Sequence, residues 1–523
     1  MLALALASSL GPGPGQGGLE VTIQDDALML HGSPVWVHAA ARRMADAGTD
    51  RVRITAGWSV IAPRSSSRRR PDFDAADPAA YPEGSWDKLD RAVRAVADEG
   101  MKPMLDVAFW APRWAVTRAS RGKRGRERWA PSAAEYGHFA EALGRRYSGG
   151  YADPRAGGTL PAVRLWTTWN EPNHAGFLLP QWRRTGRGGW RPASPHIYRD
   201  LHNAGYDALK RVDPQNQVLI GGLAARGVRT RGPRSGMGPL RFTRELACVD
   251  SALRPLRVPE CEGFEPLRAD GFSYHPYSLD RPPGVSNPDP ETAPIADLDR
   301  LSSLLEGLGE RGRLASEMPL YLTEYGYESN PPDPRRGVAP EDQARFHGHA
   351  TYLAWGRGDT RMFAQFLLQD IGPSPFPEGS PRRWSDWQSG LYSHEGEAKP
   401  ALQGFKLPFH AEPQEIAGRD FVLLFGQVRP GTGRQQVAVE TLGADGVWRE
   451  IESLEIRAPG ATCGEGSSAF LTDESGFYLR AVPYQGAVSY RPRWTRPDGG
   501  AEHGVPVAVG PGPPVAVRAG PAS

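Results

Sequence analysis

The chain has 523 residues, of which 39% are apolar and 23% charged. That is enough to build a large core, and it excludes intrinsic disorder as the main state. Lys and Arg number 62 against 60 Asp and Glu, a net charge of +2, which gives no global drive toward nucleic acid or an anionic membrane; no apolar run reaches the ~20 residues of a membrane span.

Residues 1–19 open with a Leu/Ala run that lacks a basic start, followed by a Gly/Pro/Gln stretch from Gly11 to Gly18. This segment is expected to be a leader or the residue of a secretory signal, which would place the protein outside the cell or at its surface. From residue 20 to 407, short β-type runs alternate with helical patterns. The first strand is expected within Leu19–Leu30, followed by Arg51–Ala56, Pro103–Phe109, Val163–Trp169, Gln217–Leu223, Gly271–His275, Leu320–Thr323 and Met362–Leu368. Between them, Trp86, Leu89, Val93 and Val96 repeat at helical spacing, with Gly100 placed to end the helix. Ser132 and Glu135 form a capping box, Pro195 opens another helix, and Leu301, Leu304, Leu305 and Leu308 mark a fourth.

Eight strands alternating with helices predict an α/β fold, a (β/α)8 barrel with long insertions. The alternative, an open doubly wound sheet, would place a glycine-rich phosphate loop after its first strand, and none follows here. From residue 408 to 523 the period changes. Phe421–Phe425, Gln436–Thr441, Val447–Ile451, Gly476–Val482 and Val488–Trp494 are short strand candidates split by Gly, Pro and Asp. They predict an all-β sandwich domain.

The three cysteines are Cys248, Cys261 and Cys463. Their spacing gives no zinc motif. A Cys248–Cys261 disulfide is expected for an exported protein, two buried free thiols being the alternative; Cys463 is expected to be inert. His347 and His349 form an HxH pair, but residues i and i+2 of a helix face apart, so no metal site is expected from them.

In a (β/α)8 barrel the reactive groups sit at the C-terminal ends of the strands. The fourth strand runs into Trp169-Asn170-Glu171-Pro172, and the seventh into Thr323-Glu324-Tyr325. Two carboxylates at one barrel mouth suit glycoside hydrolysis, where one protonates the leaving oxygen and the other attacks the anomeric carbon or activates water. The acid must hold its proton and the nucleophile must stay ionised.

With these motifs the sequence resembles clan A glycoside hydrolases, a cellulase-like group, especially families 5 and 39. The resemblance covers residues 20–405 and is carried by Trp169-Asn170-Glu171-Pro172-Asn173, by Glu324, by Arg53 in Val52-Arg53-Ile54, and by His275-Pro276-Tyr277. Gly390-Leu391 and Lys399-Pro400-Ala401 resemble the segment after strand eight, and Phe109-Trp110-Ala111-Pro112-Arg113-Trp114 is closer to family 39. The resemblance implies that Glu171 is the acid/base and Glu324 the nucleophile of a retaining O-glycoside hydrolase. It implies that Asn170 bonds the sugar 2-hydroxyl, and that Arg53 and Tyr277 orient the nucleophile, with His275 beside them. No cofactor is implied.

Trp110, Trp114, Trp129, Trp182, Trp190, Trp384 and Trp387 fall in loops of the presumed catalytic face. Of these, Trp110 and Trp387 are expected to stack on sugar. The same loops carry arginines: Arg64, Arg68, Arg69 and Arg70 after strand two; Arg118, Arg121, Lys123, Arg124 and Arg126 after strand three; Arg183, Arg184, Arg187 and Arg191 after strand four; Arg226, Arg229, Arg231 and Arg234 after strand five. Such a rim would attract an anionic glycan. The competing explanation is a chain-wide bias, 56 Arg against 6 Lys, with solvated loops. The expected partner is a carbohydrate substrate, not nucleic acid or a membrane. The rival readings are a carbohydrate-binding barrel that has lost catalysis and a metal-dependent barrel hydrolase.

Overall fold

Eight parallel strands close on themselves in a computed structural model that describes residues 18–117, 125–186, 188–416, 419–456, 466–486 and 488–510. In chain order the strands as far as the barrel's last are β1 (Glu20–Gln24), β2 (Arg51–Gly57), β3 (Lys102–Ala108), β4 (Leu165–Thr168), β5 (Trp182–Arg184), β6 (Trp190–Pro192), β7 (Gln217–Ala224), β8 (Phe272–His275), β9 (Leu320–Tyr325) and β10 (Thr360–Phe366). The barrel order is β1-β10-β9-β8-β7-β4-β3-β2, while β5 and β6 form a separate antiparallel hairpin. Closure pairs Glu20 with Met362 across β1 and β10, and Thr22 with Arg51 across β1 and β2. The interior is filled by side chains such as Met104, Leu165, Leu219 and Met362, so the barrel is a packed core rather than a pore.

The intervening helices form where the spacing places them. Helix Asp87–Asp98 buries Leu89, Val93 and Val96 and carries Asp87 and Asp90 in its first turn, where acids suit the dipole. Gly100 follows at φ +77°, a conformation that costs an L side chain. Helix Ala133–Arg146 is capped by Ser132, whose hydroxyl accepts from the Glu135 amide at 3.4 Å. Helix Ser194–Val212 has Pro in its first turn and Lys210 and Arg211 in its last. The first expected strand is shorter than its apolar run. Asp25 accepts from the Leu28 amide and caps a helix, Asp26–His31, that takes the remainder.

Residues from Phe409 on form antiparallel sheets: β11 (Phe409–Ile416), β12 (Arg419–Gln427), β13 (Gln436–Leu442), β14 (Trp448–Ile451), β15 (Leu454–Glu455), β16 (Ala469–Leu471), β17 (Phe477–Pro483), β18 (Val488–Thr495), β19 (Ala501–His503) and β20 (Val507–Val509). One sheet has the order β11-β12-β17-β15. The other is built on β14-β13-β18-β19, with β16 pairing β13 and β20 pairing β18. The first sheet packs on the barrel helix Pro340–Trp355, where Phe425 and Phe477 lie 5.1 and 5.9 Å from the Trp355 ring. Next to them Arg429 is buried, donating to His347 at 2.9 Å and Thr351 at 3.1 Å, with its guanidinium 4.3 Å over the Phe405 ring. His347 and His349 therefore serve this packing; His349 stacks on His410 at 4.0 Å. No helix among the described residues is long and apolar enough to cross a membrane.

Cys248 and Cys261 form a disulfide with Cα atoms 5.7 Å apart, in the long segment after β7. Arg199 is packed beside it, donating to the Leu246 carbonyl and to Cys248 Sγ. Cys463 lies outside the described residues, as do Arg118, Arg121, Lys123, Arg124, Arg187 and residues 1–17 of the expected leader; of Arg126 only the backbone is described.

Candidate active site

The end of β4 is strained and held. Trp169 and Glu171 take φ values of +64° and +39°, conformations that cost a non-glycine residue and persist where surroundings enforce them. The Trp169 amide donates to the Val107 carbonyl at 2.9 Å and to the Tyr136 hydroxyl at 3.0 Å. The Glu171 amide donates to the Gly222 carbonyl at 2.9 Å. That carbonyl is aimed by a bulge in β7, where Gly221 and Gly222 sit at φ +110° and +60° and the register against β8 shifts. Asn173 locks the same loop, donating to the Ala224 and Met237 carbonyls and accepting from the Ala224 amide.

Across the barrel mouth, β9 carries Glu324. Its Oε1 accepts from Arg53 Nη1 at 2.6 Å, and its Oε2 accepts from the Tyr277 hydroxyl at 3.3 Å. His275 Nδ1 lies 3.0 Å from Glu171 Oε1 and 3.5 Å from Glu324 Oε2, between the two carboxylates. Arg53 is fully buried and uses both nitrogens of its fork: Nη1 also meets Gln24, and Nη2 donates to Asn170 Oδ1 at 2.9 Å and Asp106 Oδ2 at 3.0 Å. Burial pulls the guanidinium down, but Asp106 and Glu324 outweigh it and raise it. Burial raises Asp106 to about 6 against the pull of Arg53 and of the Thr167 hydroxyl. Burial, with the charges of Glu324 and Glu171 added, holds the Tyr277 phenol well above its ordinary value, so it stays a donor.

Glu171, Glu324, Asn170, Arg53, His275 and Tyr277 thus converge on one site. Trp387 joins them, 37% exposed, with its ring 5.6 Å from Tyr277. Trp110 stands on the opposite wall, half-buried, donating to the Gly176 carbonyl at 3.1 Å and covered by Arg128. It adjoins Phe109 and Phe177, and through them His174, whose Nδ1 is 3.8 Å from Glu171 Oε2. Trp182 and Trp190 lie in the β5–β6 hairpin rather than in loops, and Trp129 and Trp182 are buried. Sequence reading missed Asp106, Gln24 and His174. The signal for Asp106 was there, a lone carboxylate inside the apolar run Pro103–Phe109, which requires a buried partner. The arginine rim divides: Arg70 pairs with Glu135 and Arg191 with Glu260, while Arg226 meets no carboxylate within ion-pair distance among the described residues and donates to the Ser278 carbonyl at 3.1 Å.

Glu171, His275 and Glu324 each offer an atom within 4.8 Å of the others, a cluster able to hold a cation. The Arg53 guanidinium already balances Glu324 there.

No protein-family profile and no curated protein matches this chain. Solved structures similar to it include two family 39 glycoside hydrolases. One, from Bacteroides cellulosilyticus, has 16% identity and TM-score 0.47, covering 91% of this chain and 82% of that one. The other, from Xanthomonas axonopodis pv. citri, has 15% identity and TM-score 0.46, covering 91% and 94%. A family 5, subfamily 18 structure from Streptomyces cattleya in complex with GlcNAc has 14% identity and TM-score 0.46, covering 76% and 79%. Likeness at this level does not extend to chemistry.

Proposed function

We propose that the chain is a retaining O-glycoside hydrolase with Glu324 as nucleophile and Glu171 as acid/base. The observation that carries this is the approach of Glu171 and Glu324 oxygens within 4.8 Å around His275. Direct attack needs carboxyls ~5–5.5 Å apart, whereas inversion needs ~6.5–9.5 Å to admit a water. Glu324 attacks the anomeric carbon as Glu171 gives its proton to the leaving oxygen. The glycosyl ester on Glu324 is then opened by a water that passes its proton to Glu171, restoring both groups. Arg53 and Tyr277 hold one oxygen of Glu324 each, which fixes the orientation of the carboxylate. Asn170 spends its oxygen on Arg53, leaving its amide nitrogen to donate to a sugar hydroxyl. Trp387 offers an aromatic face beside the nucleophile. The Cys248–Cys261 disulfide supports an oxidising, exported setting.

A panel of aryl glycosides tests the reading. At least one should be turned over, and Glu324→Gln should lower kcat by 10⁴-fold or more, as expected on losing the nucleophile (order of magnitude). Glu171→Gln should retain activity on substrates with good leaving groups, and azide should restore turnover as a glycosyl azide of retained configuration. Full activity in Glu324→Gln would overturn it. The cation-holding geometry of the same three residues favours a metal-dependent hydrolase as the second reading; activity that falls with chelator and returns with added metal would select it.

A further inference from the structure

Three arginines stand on consecutive loops of the catalytic face: Arg226 after β7, Arg281 after β8 and Arg336 after β9. They converge. The Ser278 carbonyl accepts both the Arg226 guanidinium at 3.1 Å and the Arg281 amide at 3.4 Å. The Arg281 carbonyl accepts from the Tyr327 hydroxyl at 2.8 Å, which ties that loop to the end of β9. Arg336 is brought back to the same strand end by the Val338 amide, which donates to the Glu328 carbonyl.

None of the three makes an ion pair among the described residues, although arginines elsewhere on the rim do. The Arg226 Nε is buried and has no hydrogen-bond partner among the described residues. Burial, with the positive charges of Arg281 and Arg336 added and only Asp280 opposing part of it, lowers Arg226 below its ordinary value. Glu328 and Asp333 lie beside Arg336, and Asp280 offsets part of the charge at Arg226, so the part-buried Arg226 is the cation of the three for which a further anion has most to offer. A chain-wide arginine bias explains solvated loops; it does not explain a part-buried arginine whose Nε has no hydrogen-bond partner among the described residues.

The cluster also adjoins the reaction centre. Ser278 follows Tyr277, the donor to Glu324. The Arg226 loop is fixed at its base by Asn173, from the acid/base loop, through Ala224.

We infer that Arg226, Arg281 and Arg336 recognise a carboxylate or sulfate group on the glycan, so that the site selects an anionic saccharide. That the saccharide is hydrolysed rests on the hydrolase reading; that it binds does not. The test uses the full chain carrying Glu324→Gln, which binds without turnover. Titration calorimetry would compare oligogalacturonate, a sulfated oligosaccharide of similar length and a neutral xylo-oligosaccharide. One of the two anionic probes should bind at least about tenfold tighter than the neutral one, and that arm identifies the group. Binding should weaken as salt rises, because exposed charges are screened within ~10 Å at 0.1 M. Arg226→Gln should cost about tenfold, the scale of one charge-assisted hydrogen bond. Arg226→Lys should retain part of the preference, which separates loss of charge from loss of fold.

Equal affinity for neutral and anionic probes, or unchanged binding in an Arg226→Gln, Arg281→Gln, Arg336→Gln protein, overturns the inference. The two readings fail separately. If neutral aryl glycosides are hydrolysed and the triple variant matches the parent on every probe, the hydrolase stands and the anion site falls. If no glycoside is turned over but anion binding disappears in the triple variant, the anion site stands and the hydrolase falls.

Discussion

On the proposed reading, Asp106 is a buried positioning residue that acts on the nucleophile through Arg53. It sits between Arg53 and Thr167, and Arg53 in turn holds Glu324 and Asn170. Because burial raises it to about 6, Asp106 is ionised above that pH and takes a proton as pH falls through it. Its hold on Arg53 then weakens, so kcat should decline on the acid side of pH 6. Asp106→Asn should lower kcat about tenfold at neutral pH with little change in KM, and should flatten that acid limb; an unaltered kcat profile against pH would contradict the role. For stability the sign is opposite. A carboxyl raised on folding disfavours the folded state increasingly as pH rises through about 6, and that cost is absent below its unfolded value near 4. The Asn variant should therefore gain stability relative to the parent at pH 8 more than at pH 4.

The glycine pair of β7 positions Glu171, the proposed acid/base, through its backbone. A Cβ on Gly221 would lie 2.4 Å from the Ser273 carbonyl oxygen, whereas one on Gly222 meets nothing closer than the Trp169 carbonyl at 3.5 Å. Gly221→Ala should accordingly fail to fold or lose several kcal/mol, an overpacking effect against the Ser273 backbone and the Phe272 ring (order of magnitude). Gly222→Ala, strained only by its φ of +60°, should fold at a cost of about 1–2 kcal/mol. It should still lose activity by about 10–100-fold, because its carbonyl orients the Glu171 peptide and small misplacements are amplified in rate. Thermal melts beside kcat measurements check both; a Gly222→Ala protein of full activity would dissociate the bulge from the site. The barrel strands were legible because strands covered on both faces read as continuous apolar runs. Glu171 and Glu324 were legible because they close such runs. The bulge was not, since two glycines in a strand look like weak propensity until the register is known. Nor was β11, an edge strand carrying Pro413 and polar residues, where pairing rather than apolar pattern defines the strand.

At the scale of the molecule, the described site residues all precede residue 400, so the sandwich contributes none of the chemistry named above. It is nonetheless packed deeply. Trp355 lies against Phe425 and Phe477, a Cβ on Gly348 would lie 2.3 Å from the Phe409 carbonyl oxygen, and Arg429 is bonded to His347 and Thr351. A chain ending at Leu407 would uncover Trp355 and Phe405, at about 1.5–3 kcal/mol for each large side chain. It should therefore be insoluble or melt well below the full chain. An equal melting temperature, followed by calorimetry or circular dichroism, would show the sheets to be dispensable. Substituting Arg429→Ala in the full chain should lower the melting temperature without changing KM, since its contacts are with His347, Thr351, Phe405 and Gln427, none of them a residue of the candidate site.

Closure of the barrel through β1 and β10 also sets a schedule. Glu20 finds its partner in Met362, so on a ribosome the first strand is made long before the last. At roughly 5–20 residues per second, the interval is on the order of tens of seconds. Throughout it, one edge of β1 has no native neighbour, and an unpaired edge invites pairing with other chains. The sheet that covers Trp355 is later still. Nascent chains of this protein should thus be most vulnerable to aggregation late in synthesis, and yield should respond to chaperone supply or slower elongation more than to any change within the candidate site.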